Sequence, residues 1–173
     1  KEARELTKLL ESKDKRAVVI IGKHQVGKTN LIHEYVFNQA KSRKQSGGER
    51  LVWLVSPQRL ISGMSFVGQW ENRLTAILAE AKLREHLLYF DDLPGLFFAG
   101  VSANSDLNVA QVLKPYVERR DVRVVGEISP EAWRVLQEKD RAFAGLFRVL
   151  RLDETNENET LKILLSVRRE LEF

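Results

Sequence analysis

Residues 17–29 read AVVIIGKHQVGKT, and no other stretch restricts the fold of this chain so strongly. AVVII is a short, unbroken apolar run rich in β-branched residues, the pattern of a strand buried on both faces of a parallel sheet. From Thr29, TNLIHEYVFNQAKS returns to helical spacing. The loop between them, Gly22 to Thr29, matches G-x-x-x-x-G-K-[ST] in full. At average composition, a chance match in a chain of this length is on the order of one in a hundred. A loop that wraps a triphosphate needs inward backbone N–H groups and little side-chain bulk. Gly22 and Gly27 allow the tight curvature, and Lys28 can reach the terminal phosphates. The Thr29 hydroxyl can ligate Mg²⁺, and the following helix presents its positive N-terminus. Gly22, Lys23, His24, Gln25, Val26, Gly27, Lys28, Thr29 and Asn30 are therefore expected to bind a nucleotide, with Thr29 as a metal ligand.

The rest of the chain repeats the alternation. KEARELTKLLES reads as a helix, and Lys1 opens inside that pattern, so a segment of a longer protein is expected. Strands are expected at 51–56 (LVWLVS), 86–92 (HLLYFDD), 122–129 (VRVVGEIS) and 147–153 (FRVLRLD). Helices are expected over 69–83, over LNVAQVLKPYVER with Pro115 bending or restarting it, from Pro130, and over ETNENETLKILLSVRREL. Ser-Gly-Gly at 46–48 reads as a loop. Strands alternating with helices predict an α/β layered domain with a mostly parallel sheet of five strands.

Composition adds exclusions. There is no cysteine, hence no disulfide framework and no thiolate site, which fits a reducing cytoplasm. No apolar run approaches a membrane span, and no signal-peptide pattern opens the chain. The net charge of +4 is mild. The densest basic segment, KSRKQSGGER at 41–50, reads first as a solvated loop; a nucleic-acid contact would need further basic residues converging on one face.

A nucleotide site also needs an acid at the end of another buried strand. LLYFDD supplies Asp91 to hold Mg²⁺, usually through water, and Asp92 to orient an attacking water. The competing reading is two acids that cap the turn at Leu93-Pro94-Gly95.

The order of these motifs resembles the AAA+ module of Clp-type chaperones and unfoldases, specifically the first ATPase ring of the ClpA/ClpB/ClpC group. The resemblance rests on the phosphate loop, GMSFVGQWENRLTAIL (63–78), LLYFDDLPGLFFAG (87–100), VAQVLKPYVERRDVRVVGEIS (109–129) and EAWRVLQEKDRAF (131–143). It implies a P-loop NTPase fold that uses ATP and Mg²⁺, within a hexameric homo-oligomer threading a polypeptide. It implies a large subdomain over 1–155, with 156–173 leading towards a small helical subdomain. The nucleotide-binding arginine of that subdomain would lie beyond Phe173, so weak affinity is expected of this segment alone. The resemblance also places Phe66, between Gly63 and Gly68, as the aromatic that grips substrate in the pore, and a second pore loop near 99–106.

Departures from the family pattern bear on hydrolysis. The family usually has Asp-Glu where this chain has Asp91-Asp92, and the shorter side chain falls back from the water. A misplacement of about 1 Å can cost on the order of a hundredfold. Gly-Ala-Thr-Thr is replaced by Gly126-Glu127-Ile128-Ser129, leaving Ser129 as the hydroxyl that would place the water. The paired arginine fingers, worth about 10³–10⁵ in rate, are replaced by Gly145-Leu146, with Arg141, Arg148 and Arg151 near but unmatched. His24-Gln25 stands where Pro-Gly is common. Three readings follow. One is an ATPase module driving protein unfolding or disaggregation. The second is a degenerate ring module that binds ATP with little or no hydrolysis. The third is a nucleic-acid-remodelling AAA+ protein, supported only by the 41–50 segment. No Asn-Lys-x-Asp pattern supports a GTPase.

Overall fold

The computed structural model describes residues 2–43, 50–64, 67–103, 105–154, 160, 161 and 165. In chain order the elements are α1 (Glu2–Leu10), β1 (Ala17–Ile21), α2 (Lys28–Arg43), β2 (Val52–Leu54), α3 (Pro57–Ile61), α4 (Val67–Leu83) and β3 (Leu87–Phe90). A 3₁₀ turn (Pro94–Phe97) follows, then α5 (Val109–Glu118), β4 (Arg123–Ile128), α6 (Pro130–Lys139), α7 (Arg141–Ala144) and β5 (Phe147–Arg151). The five strands form one sheet in the order β2-β3-β4-β1-β5, and every neighbouring pair is parallel. This is the layered α/β sheet expected from the alternation, and the P-loop fold that the resemblance implies.

Side chains alternate across a strand, so the unbroken run AVVII serves two cores at once. Ala17, Val19 and Ile21 face one layer, with Leu88, Phe90, Leu74, Leu78, Leu113, Trp133 and Phe143. Val18 and Ile20 face the other, with Leu6, Leu10, Leu31, Ile32, Tyr35 and Tyr89. Thus α1 and α2 cover one face, and α3 to α7 cover the opposite one. Full burial of one such aliphatic or aromatic side chain is worth about 1.5–3 kcal/mol.

Local signals set the boundaries. Asn108 caps α5, accepting from Gln111 N while the Gln111 side chain accepts from Asn108 N. Pro115 lies inside α5 without ending it. Ser129 caps α6 ahead of Pro130. The sequence reading overextends several strands: β2 pairs only over Val52–Leu54, although Val55 N still donates to Tyr89 O at 2.8 Å. It also misses α3, the 3₁₀ turn and α7, which are too short to show a period. The 44–49 loop and most of the expected C-terminal helix, 155–173, lie outside the described residues.

Candidate functional site

The chain leaves β1 for α2 on one face of the sheet, and leaves β4 for α6 on the other. Where adjacent parallel strands send their helices to opposite faces, their carboxyl ends open a crevice. A cleft of about 380 Å³ lies there. His24, Gln25, Lys28 and Thr29 line it from the β1–α2 loop, Asp91 and Asp92 from the end of β3, and Glu127, Ile128 and Ser129 from β4.

The loop is shaped by close packing and unusual dihedrals. A Cβ at Gly22 would fall 2.7 Å from Val26 Cγ1 and 2.8 Å from Leu152 O, so only glycine fits. Gly27 has open space around it but sits at φ +98°, and Gln25 is also left-handed at φ +62°. Such turns direct successive N–H groups inward, and α2, 16 residues long, begins at Lys28. The Lys28 ammonium donates to the loop's own carbonyls, Gly22 O at 2.8 Å and Lys23 O at 2.7 Å. It therefore stands within the loop, held by the loop's own backbone. Lys23 pairs with Glu154 at 3.1 Å, and Asn30 is exposed in the first turn of α2.

Across the cleft, Asp91 is exposed and Asp92 half-buried. Asp92 combines both sequence readings: it lines the cleft and also caps the turn, with Oδ1 accepting from Gly95 N at 3.0 Å and Oδ2 from Gln58 Nε2 at 3.1 Å. Ser129 Oγ accepts from Ala132 N at 3.1 Å as the α6 cap. The donor set fits magnesium held with phosphate. Mg²⁺ takes oxygen ligands, usually one or two carboxylates plus phosphate oxygens rather than an all-protein cage. Among the described residues no three His, Cys, Asp or Glu gather as such a cage, while Thr29 and Asp91 supply a hydroxyl and a carboxylate.

The sequence reading did not single out Glu127. It is only 6% exposed. It points to the α2 side of β4, where Thr29 Oγ1 donates to Oε2 at 3.2 Å and the Tyr89 hydroxyl donates to Oε1. Burial pushes its carboxyl above the usual range, opposed by the Tyr89 and Thr29 hydrogen bonds and by Lys28. Burial, and then the Glu127 hydrogen bond, push the Tyr89 phenol well above its ordinary value. A lone acid within a strand buried on both faces was the available signal, because a buried carboxylate has to be hydrogen-bonded.

Other expected positions fall elsewhere. Phe66 lies outside the described residues; Gly63, at φ +73°, follows α3, and Gly68 lies in the first turn of α4. In the 99–106 segment Ser102 and Ser105 form an antiparallel bridge, and Asn104 lies outside the described residues. Gly145 O accepts from Arg16 Nη2 at 3.1 Å, Arg141 opens α7, and Arg148 pairs with Asp14 at 2.5 Å. Among the described residues no helix is long and apolar enough to cross a membrane.

No family model matches the chain. The chaperone protein ClpB of Aquifex aeolicus is 28% identical over 176 residues, covering 99% of this chain and 17% of that protein. ClpB of Mycoplasmoides gallisepticum is 31% identical over 182 residues, covering 99% and 24%. The chain thus spans about a sixth to a quarter of the length of these relatives. Among solved structures, Hsp104 in a closed state with ATPγS and FITC-casein superposes with a TM-score of 0.78 at 24% identity, covering 99% of this chain and 29% of that one. The Saccharomyces cerevisiae Hsp104–ADP complex gives 0.75 at 22% identity, covering 99% and 24%. Fold, motif order and end-to-end sequence likeness converge on one kinship: this chain is similar throughout its length to a single AAA+ module of the Clp-type chaperones.

Proposed function

We propose that this chain is the ATP-binding module of a Clp-type ring machine, in which ATP binding and hydrolysis drive protein unfolding or disaggregation. One observation carries the reading: the Gly22–Asn30 loop opens α2 directly opposite Asp91 and Asp92, at the switch point of the sheet. Residues 1–155 form the large subdomain, and 156–173 lead towards a small helical one. The loop N–H groups and Lys28 hold the phosphates. Thr29 and Asp91 hold Mg²⁺, which screens phosphate charge when bound. Asp92 and Ser129 border the place where a water would stand. Phe66, flanked by Gly63 and Gly68, contacts the polypeptide in a homo-hexameric ring. That Hsp104 is described with ATPγS, with ADP and with casein supports both the nucleotide and the polypeptide.

A second reading, binding with slow turnover, is favoured by one feature. Both Asp92 oxygens are already engaged, Oδ1 by Gly95 N of the 3₁₀ turn and Oδ2 by Gln58 Nε2 of α3. The test is ATP turnover by the full-length protein and its Lys28→Ala and Asp92→Asn variants, with any second ring inactivated. Loss of turnover in both variants supports the first reading. Loss of nucleotide binding in Lys28→Ala, with turnover by Asp92→Asn equal to the starting protein, supports the second. Nucleotide binding unchanged by Lys28→Ala would refute both.

A further inference from the structure

Glu127 is a charged residue where the sheet needs none. Its β1 neighbour in register is Ile20, and Val125 on the same face packs in the apolar layer. Burying a carboxylate is unfavourable unless its oxygens are satisfied. Here each oxygen receives a hydroxyl, one from Tyr89 and one from Thr29. A carboxylate with two donors on two oxygens is an acceptor only, whereas its protonated form would turn a proton towards a donor. The Tyr89 bond suffices to anchor the side chain in the sheet. The Thr29 bond has no such structural purpose, because Thr29 is exposed on the cleft wall and needs no internal partner.

We propose that Glu127 is a positioning residue that ties nucleotide binding at this loop to a divalent cation. By accepting the hydrogen bond from Thr29 Oγ1 it would leave the lone pairs of that hydroxyl free for a cation in the cleft. Its charge, joined to those of Asp91 and Asp92 around the single Lys28, opposes phosphate that arrives without a cation. The inference rests on the nucleotide-binding reading above. It differs from a purely structural role in one respect. A residue that only supports the strand affects binding equally with and without metal, whereas Glu127 acts in opposite directions.

The experiment titrates a fluorescent ADP analogue into the full-length protein, with magnesium and with excess EDTA. Thermal melts establish that each variant is folded. Removing the charge in Glu127→Gln is expected to tighten binding in EDTA and weaken it in magnesium. The magnesium-to-EDTA affinity ratio should fall about tenfold or more, the equivalent of 1.4 kcal/mol. Glu127→Ala should behave alike, giving a second route if the amide variant folds poorly. Tyr89→Phe keeps the charge and should lower the ratio far less than Glu127→Gln does. In a Thr29→Val background, the weakening by Glu127→Gln in magnesium should vanish. Equal changes with and without magnesium in both Glu127 variants would overturn the inference while leaving nucleotide binding intact. Binding that ignores Lys28→Ala would overturn both.

Discussion

Gly22 and Gly27 flank one loop for different physical reasons, and substitution can separate them. Alanine at 22 would set its Cβ 2.7 Å from Val26 Cγ1 and 2.8 Å from Leu152 O. The second atom is backbone, held where Leu152 N donates to Ile21 O at 2.8 Å beside the β1–β5 ladder. Overpacking of this kind costs about 1–3 kcal/mol. In a chain of this size each kcal/mol lowers the melting temperature by about 2–4 °C, so Gly22→Ala should melt roughly 2–12 °C early. Gly27 meets nothing within 4 Å, and its φ of +98° alone excludes a side chain, at about 1–3 kcal/mol. The two losses overlap in size, so the decisive readout is their order with asparagine, which tolerates left-handed backbone. At 27, asparagine should melt above alanine. At 22, the larger asparagine should melt below alanine, and Val26→Ala should restore part of the loss in Gly22→Ala. Gly68, with nothing within 4 Å and no positive φ, serves as the control and should melt unchanged or higher as alanine. Calorimetry on the six variants settles the matter. The same asparagine–alanine order at both positions would refute the division into crowding and dihedral strain.

Other consequences are simpler to state. Phe143 is fully buried, with ring centroids 5.1 Å from Phe97 and 5.3 Å from Phe147, so Phe143→Ala should destabilise by about 3–5 kcal/mol in urea unfolding. The buried Arg123 donates to Leu10 O at 2.9 Å and Ser12 O at 2.7 Å, closing the end of α1. Arg123→Met should cost about 1.5–3 kcal/mol, and proteolysis should reach α1 first. Asn108→Ala removes the α5 cap and should cost about 1 kcal/mol by the same urea assay. Lys15 and then Arg123 hold the Glu85 carboxyl below its ordinary 4.5, against the effect of burial. Its pairing therefore stabilises above about pH 4.5 and is lost as the pH falls through the lower folded value. Glu85→Gln should melt below the starting protein at pH 7, and the two melting curves should converge in strong acid.

The fold was legible where a residue pattern has one physical reading. AVVII, β-branched and followed by a GKHQVGKT loop and a helical pattern, reads together with them as a doubly buried strand, a turn and a helix. The strands after it could be named for the same reason. Their spatial order could not be read from periodicity, because which neighbour a buried strand takes depends on contacts far apart in sequence. The family resemblance supplied the fold type for that step. The short elements stayed hidden for another reason: Pro57–Ile61 and Arg141–Ala144 each span about one turn, too few residues to show a period of 3.6.

The site was legible by residue type and illegible by direction. Asp92 could be named as a water-orienting acid or as a turn cap, and only the distance to Gly95 N shows that the capping contact is made, with Gln58 of α3 holding the other oxygen. Glu127 passed unnoticed because a strand pattern gives parity but not face. Residues 123, 125 and 127 share a side, yet nothing in VRVVGEIS says that α2 lies on that side. Once the sheet places α2 there, the acid stands under Thr29 and accepts from the Thr29 and Tyr89 hydroxyls. Two of the departures from the family pattern, at Asp92 and in the Gly126–Ser129 segment, then acquire a common logic. Where Asp92 is held by the turn at the cleft rim, the cleft floor carries a second carboxylate that touches the phosphate loop itself. Negative charge in the cleft thus comes from β4 as well as from β3, and a test of the proposed turnover has to vary Glu127 together with Asp92.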